Sequence, residues 1–306
     1  MLPIDLQVNG YAGADFCSHD LTLEQCQHAC AELAGDGVGG ILATVITDTI
    51  EGLSRKLEKL VAFREADPII REVILGFHIE GPFLNAAPGY IGAHPPECVK
   101  PANVDDAKRL LEAAHGLTRI VTLAPENDPG FATTDFLVGE GITVSAGHCD
   151  PSFDQLRGAI DAGLSMVTHL GNGCPVELPR HDNFIQRALS LSDRLWIGYI
   201  PDGAHVPFFA LKNYLAISGI ERAFMVTDAI SAAKLGPGRY ELSGAPVEID
   251  ENGVARRPGS PNLAGSTITL PGIRRHLAES LGFDETEIET VLSRNPRTAI
   301  GLPIPA

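Results

Sequence analysis

Five residues of this 306-residue chain have the side chains that metal-assisted hydrolysis uses, and each closes or just follows a different apolar run. Glu80 ends VILGFHIE, His148 ends TVSAGH, His169 ends MVTH, Asp228 ends AFMVTD, and His205 follows LWIGYIPDG. Zn²⁺ and similar divalent ions take imidazole nitrogen and carboxylate oxygen, and a catalytic site keeps one position open for water. Glu80, His148 and His169 offer such a set from three separate runs. Water attacking an amide needs a base and the departing amine needs a proton, and Asp228 could do both in turn. His94 in GAHPPE and His205 in PDGAHV are loop imidazoles suited to polarising a carbonyl or pairing with an anion. Asn172-Gly173-Cys174 offers a side-chain amide and unhindered backbone N–H groups for a phosphate or a sugar hydroxyl. Arg180, in LPRHDN, is the loop arginine near these segments. Singly, each has an ordinary reading as a capping carboxylate, a satisfied core histidine or a solvated arginine. The argument rests on the set.

Such residues meet only if their strands share one end. The runs Ile4–Val8, Ile41–Ile46, Val73–Glu80, Arg119–Pro125, Thr143–His148, Met166–His169, Leu195–Ile200 and Ala223–Asp228 read as eight strands. They are continuous apolar runs, as parallel strands covered on both faces require. Amphipathic stretches such as Leu23–Ala34, Leu53–Ala66, Ala107–Ala114 and Ser152–Ala162 alternate with them. Thr22 with Gln25 reads as a capping box, Ser152 opens a helix after Asp150-Pro151, and Gly35, Gly116 and Gly163 read as left-handed helix stops. Strand–helix alternation repeated eight times predicts an α/β fold, a (β/α)8 TIM-like barrel whose C-terminal strand ends converge on one mouth. No Gly-x-Gly-x-x-Gly follows a strand, which disfavours a doubly wound sheet. Residues 231–265 are rich in turn formers and read as a long loop with a hairpin after the eighth strand. A helix from about Ser266 to Leu281 and a short one over Glu285–Ser293 follow, and 1–306 reads as one domain.

The net charge of −16 argues against general nucleic-acid binding, although a local Arg/His pocket can still draw in a small anion. The N-terminus lacks a signal-peptide pattern, and no apolar run approaches the ~20 residues of a membrane helix. Six cysteines without paired spacing suit reduced thiols, so a cytoplasmic location with no membrane partner is expected. Cys149 and Cys174 read as packing thiols.

Taken together, IDLQVNGYAGADF, GFHIEGPFLN, GAHPPE, TLAPE, VSAGHCD, THLGNGCP, PDGAHV, VTDAI and LAGSTITL resemble the N-acetylglucosamine-6-phosphate deacetylase family of the amidohydrolase superfamily. The matching segments run in family order from Ile4 to about Leu302. The resemblance implies metal ligands at Glu80, His148 and His169, a catalytic acid/base at Asp228 and a carbonyl- and substrate-contacting histidine at His94. It further implies phosphate and sugar contacts at Asn172, Gly173, Arg180 and His205, with the arginine supplied across a homodimer. Many amidohydrolases bind a second metal through His-x-His on the first strand. Gln7 and Asn9 stand there, so one divalent ion per chain is expected, Zn²⁺ ahead of Fe²⁺, Co²⁺ or Mn²⁺. The family's usual H-L-x-N-A-M stretch reads H-L-G-N-G-C, and the small β domain built from family segments outside Met1–Ala306 is expected to be absent. The implied reaction is hydrolysis of the acetamide of N-acetylglucosamine 6-phosphate. The alternatives are another N-acyl amino sugar, such as a galactosamine or unphosphorylated analogue, and a non-catalytic sugar-phosphate sensor.

Overall fold

The structure, a computed structural model, describes residues 1–259 and 262–304. Eight parallel strands hydrogen-bond in consecutive order: β1 (Asp5–Val8), β2 (Ile41–Ile46), β3 (Ile74–Glu80), β4 (Thr118–Leu123), β5 (Thr143–Ala146), β6 (Met166–Val167), β7 (Trp196–Tyr199) and β8 (Ala223–Met225). The chain beyond β8 returns to β1, where Val8 bridges Ala229 in parallel and the Asn9 N–H donates to the Ala229 carbonyl at 2.8 Å. This is the expected (β/α)8 barrel. Its ladders are shorter than the apolar runs. The run ending at His169 keeps only Met166–Val167 as strand, and Val73 closes the helix Pro68–Val73 instead of opening β3.

Caps set where the outer helices begin. Thr22 and Gln25 form the expected capping box on Leu23–Gly35, and Ser152 and Gln155 form another on Phe153–Asp161. Each such cap is worth about 1 kcal/mol. Gly116 and Gly163 have the expected left-handed φ, but Gly35 remains helical and Gly37 makes that turn. The helix expected from Ser266 starts later, at Leu270, because Thr269 caps it.

The barrel lumen is tiered. Leu6, Leu42, Ile120, Met166 and Phe224 belong to an apolar cluster at its base. Above it, buried polar groups satisfy one another: His78 Nε2 meets Thr122 Oγ1 at 2.7 Å, and Thr168 Oγ1 lies 2.7 Å from both Thr122 and Ser145 hydroxyls. Burial pushes His78 down to about 4, so this tier is uncharged. Outward residues such as Ile41, Val45, Phe77 and Ile79 bury against the helices, each worth roughly 1.5–3 kcal/mol. Past Asp228 the chain leaves the barrel and forms an antiparallel sheet of β9 (Gly238–Leu242), β10 (Ala245–Ile249) and β11 (Ala255–Arg256). Leu242, Val247, Ile249 and Ala255 cluster with Ile46 and Ala93, which places this sheet on the barrel rim. Ser260 and Pro261 of the expected 231–265 loop lie outside the described residues. Among the described residues no helix is long and apolar enough to cross a membrane.

Candidate active site

β3 delivers Glu80 to the barrel mouth as its last residue, 2% exposed. His148 and His169 stand two residues past β5 and β6. Their Nε2 atoms lie 3.3 and 3.1 Å from Glu80 Oε1, and one ligand atom from each of the three residues falls within 4.8 Å of the others. Tetrahedral bonds of about 2.0–2.1 Å would set ligand atoms about 3.3–3.4 Å apart. The buried Glu/His/His group therefore has the donor set and spacing to hold a metal ion. Burial alone would raise the Glu80 carboxyl, but hydrogen bonds from His148 and His169 override it and hold the group well below its usual range.

His148, His169 and Asp228 all have left-handed backbones, with φ of 51°, 29° and 50°. Such conformations in non-glycine residues cost on the order of 1–3 kcal/mol and persist only where neighbours enforce them. At His148, the imidazole Nδ1 lies 2.8 Å from the Tyr90 carbonyl. That contact puts a proton on Nδ1 and turns Nε2 toward Glu80, where its lone pair would serve as the ligand once a metal ion was bound. Glycine is required on either side of this ring: a Cβ at Gly92 would come within 2.9 Å of Cε1, and one at Gly173 within 2.7 Å of Nδ1. At His169, the carbonyl accepts from the Asn172 backbone N–H at 3.0 Å and from its Nδ2 at 3.1 Å. Among the described residues, His169 Nδ1 is buried without a partner.

Two amides on β1 and just beyond it reach the two carboxylates. Gln7 Nε2 donates to Glu80 Oε1 at 3.2 Å, and Asn9 Nδ2 donates to Asp228 Oδ1 at 2.7 Å. Positions 7 and 9 share a face by the two-residue strand period, so the His-x-His positions here carry N–H donors. Burial raises the Asp228 carboxyl above its usual value, opposed by the nearby His169. Oδ2 of Asp228 meets no protein donor among the described residues. His94 is 3% exposed, with Nε2 3.9 Å from Glu80 Oε2. The Thr47 backbone N–H donates to His94 Nδ1 at 3.4 Å, and the Thr47 hydroxyl sits 2.8 Å from the same nitrogen. This favours the tautomer with its proton on Nε2, and burial keeps the ring neutral by pushing its pKa down to about 3.

Asn9, Glu80, His94, His148, His169 and Asp228 line one cavity of about 380 Å³, which also includes Asn172, Gly173, Cys174 and His205. His205 is held by Asp202, whose Oδ2 lies 2.6 Å from its Nδ1. All the expected site residues converge here except Arg180. Arg180 is exposed, lies outside the cavity lining and has no hydrogen bond or ion pair among the described residues. Among the described residues no lysine or arginine lines the cavity. Burial pushes the Cys149 and Cys174 thiols up, as expected of packing thiols.

No protein-family model matches the chain. Relatives do. N-acetylglucosamine-6-phosphate deacetylase of Bacillus subtilis (strain 168) is 31% identical over 301 residues, which span 98% of this chain and 74% of that protein. The chain belongs to the N-acetylglucosamine-6-phosphate deacetylase family. An N-acetylgalactosamine-6-phosphate deacetylase of Shewanella sp. (strain ANA-3) is 32% identical over 302 residues, spanning 98% of this chain and 73% of that protein. The solved N-acetyl-D-glucosamine-6-phosphate deacetylase of Mycobacterium smegmatis superposes with a TM-score of 0.88 at 30% identity, over 98% of this chain and 77% of the other. That structure is an aspartate-to-alanine variant in complex with N-acetyl-D-glucosamine 6-phosphate. In this member of the deacetylase family, sequence reasoning missed Thr47, Tyr90 and Asp202, which orient His94, His148 and His205. It also left Gln7 and Asn9 without partners. A polar pair at alternate positions in the otherwise apolar LQVN stretch was the available signal.

Proposed function

We propose that this chain hydrolyses the acetamide of N-acetylglucosamine 6-phosphate to glucosamine 6-phosphate and acetate, with one Zn²⁺ per chain. The observation that carries the reading is the convergence of Glu80, His148 and His169 with Asp228 in one cavity. Two imidazoles and one carboxylate form a donor set that suits Zn²⁺. When bound, the ion supplies Lewis acidity to the carbonyl and the attacking water. Asp228 Oδ2 takes a proton from that water as oxygen bonds to the carbonyl carbon. His94 Nε2–H donates to the carbonyl oxygen as negative charge builds there. Asp228 then returns the proton to the sugar nitrogen, the C–N bond breaks, and acetate leaves.

Asn9 aims this proton transfer by holding Oδ1 of Asp228. Asn9→Ala is expected to lower kcat about 10–100-fold, the effect of losing a hydrogen bond to a charged group worth about 1.5–3 kcal/mol. KM and metal content should stay at wild-type values. Steady-state kinetics with metal analysis checks this, and a rise in KM at constant kcat would contradict it.

Asn172, Gly173 and His205 line the cavity where the sugar phosphate would sit, and Arg180 reaches a partner subunit's phosphate site in a homodimer. Among the described residues, support comes from the absence of a lysine or arginine in the cavity lining and from an exposed Arg180 without a hydrogen bond or ion pair. Val176 and Phe209, 92% and 74% exposed, offer apolar surface for such a contact. The six free thiols suit a cytoplasmic location. The galactosamine relative keeps a second substrate in view, the C4 epimer. Acetate release across phosphorylated and unphosphorylated N-acetylhexosamines tests these points. Arg180→Ala should raise KM sharply for the phosphorylated substrate and barely change slow turnover of the neutral sugar, since a guanidinium gains little from a neutral hydroxyl. Equal losses on both sugars would make Arg180 structural.

A further inference from the structure

The TLAPE segment closes β4, and its Glu126 takes no part in the chemistry above. Glu126 Oε1 accepts two hydrogen bonds, from the Asp150 backbone N–H at 2.6 Å and from Asn85 Nδ2 at 2.9 Å. Asn85 in turn donates its backbone N–H to the His148 carbonyl at 3.0 Å. The contacts close a ring: Glu126 to Asn85, Asn85 to His148, along the chain to Asp150, and back to Glu126. The segment that carries Asn85 also carries Tyr90, whose carbonyl faces His148 Nδ1 at 2.8 Å. One carboxylate oxygen thus fastens together the two segments that grip His148.

Two further ties reinforce the ring. The Ala124 N–H donates to the Phe83 carbonyl at 2.8 Å, which docks the end of β4 on the same segment. Arg187 Nη1 donates to Asp150 Oδ1 at 2.7 Å, which holds the turn after His148 from the other side. The need for such bracing is visible in the backbone. His148 has a φ of 51°, a conformation that relaxes unless its surroundings over-determine it.

We propose that Glu126 is a positioning residue for His148, setting the affinity of the Glu80/His148/His169 group for its metal ion; this rests on the metal reading given above. Glu126 touches neither ion nor substrate. It acts by keeping the His148 turn in its left-handed form, with Nε2 directed at Glu80. Removing the carboxyl leaves the Asp150 N–H and the Asn85 amide without their acceptor and opens the ring. Replacing it with an amide keeps an acceptor oxygen in place.

The test is Zn²⁺ affinity of metal-free protein, measured by competition with a chromophoric chelator at a temperature well below unfolding. Wild type, Glu126→Ala, Glu126→Gln and Asn85→Ala are compared, with thermal midpoints of the metal-free proteins recorded beside them. Glu126→Ala should weaken Zn²⁺ binding about 10–100-fold, the usual effect of losing a residue that supports a ligand. Glu126→Gln should restore affinity to within a few-fold of wild type. Asn85→Ala removes the Asn85–Glu126 contact alone, leaving the Asp150 N–H on Glu126, and should weaken binding in the same direction, so it carries the test if Glu126→Ala does not fold. A lower thermal midpoint with unchanged Zn²⁺ affinity in Glu126→Ala would overturn the proposal and leave Glu126 a structural residue. Equal weakening in Glu126→Gln and Glu126→Ala would overturn it too. Wild-type protein that binds no Zn²⁺ would instead remove the metal reading, and this assignment with it.

Discussion

Asp228→Asn is expected to bind metal and substrate as wild type does while kcat falls on the order of 10³–10⁴-fold. At about 1.4 kcal/mol per factor of ten, that is roughly 4–5.5 kcal/mol of barrier. The substitution is nearly isosteric, and an amide oxygen can still accept from Asn9 Nδ2, which now lies 2.7 Å from the carboxylate. What disappears, in the proposed mechanism, is the oxygen that takes a proton from water and hands it to nitrogen. Burial raises the Asp228 carboxyl above its ordinary value, which makes it a better base than an exposed aspartate. Single-turnover and steady-state kinetics on metal-replete protein decide the matter. A variant keeping more than a tenth of wild-type kcat would show that another group moves the proton.

The second large effect is on the metal. His148→Ala and His169→Ala should each lose bound metal and activity together. Each removes one of three donors, so affinity should fall by more than the ~10–100-fold typical of losing a supporting residue. Metal analysis of freshly purified wild type should give one equivalent per chain. Two equivalents would mean that Gln7 and Asn9 leave room for a second ion despite donating to Glu80 and Asp228. Either variant keeping a full equivalent of metal would remove that histidine from the ligand set.

The barrel and much of its mouth were legible in the sequence for a physical reason. Parallel strands buried on both faces are largely apolar, so a metal-ligating or charged residue that closes such a run marks the mouth. Glu80, at the end of VILGFHIE, illustrates this directly. His148 and His169 were found by the same rule, although their left-handed backbones place them past the ladder rather than in it. Partners were not legible. The Tyr90 carbonyl that orients His148 is a backbone group, invisible to residue type, and Thr47 looks like any strand-end threonine. Gly173 was read as a backbone donor, yet its position also demands glycine because the His148 ring lies against it. Helix ends misplaced by a few residues, at Gly35 and Ser266, reflect competition among nearby caps, which local sequence does not resolve.

The most direct test of the account is acetate release from N-acetylglucosamine 6-phosphate by metal-free protein titrated with Zn²⁺. The account predicts that activity rises in proportion to added metal and stops rising at one equivalent per chain. Protein that fills its site with Zn²⁺ but releases no acetate from any N-acetylhexosamine, phosphorylated or not, would contradict it.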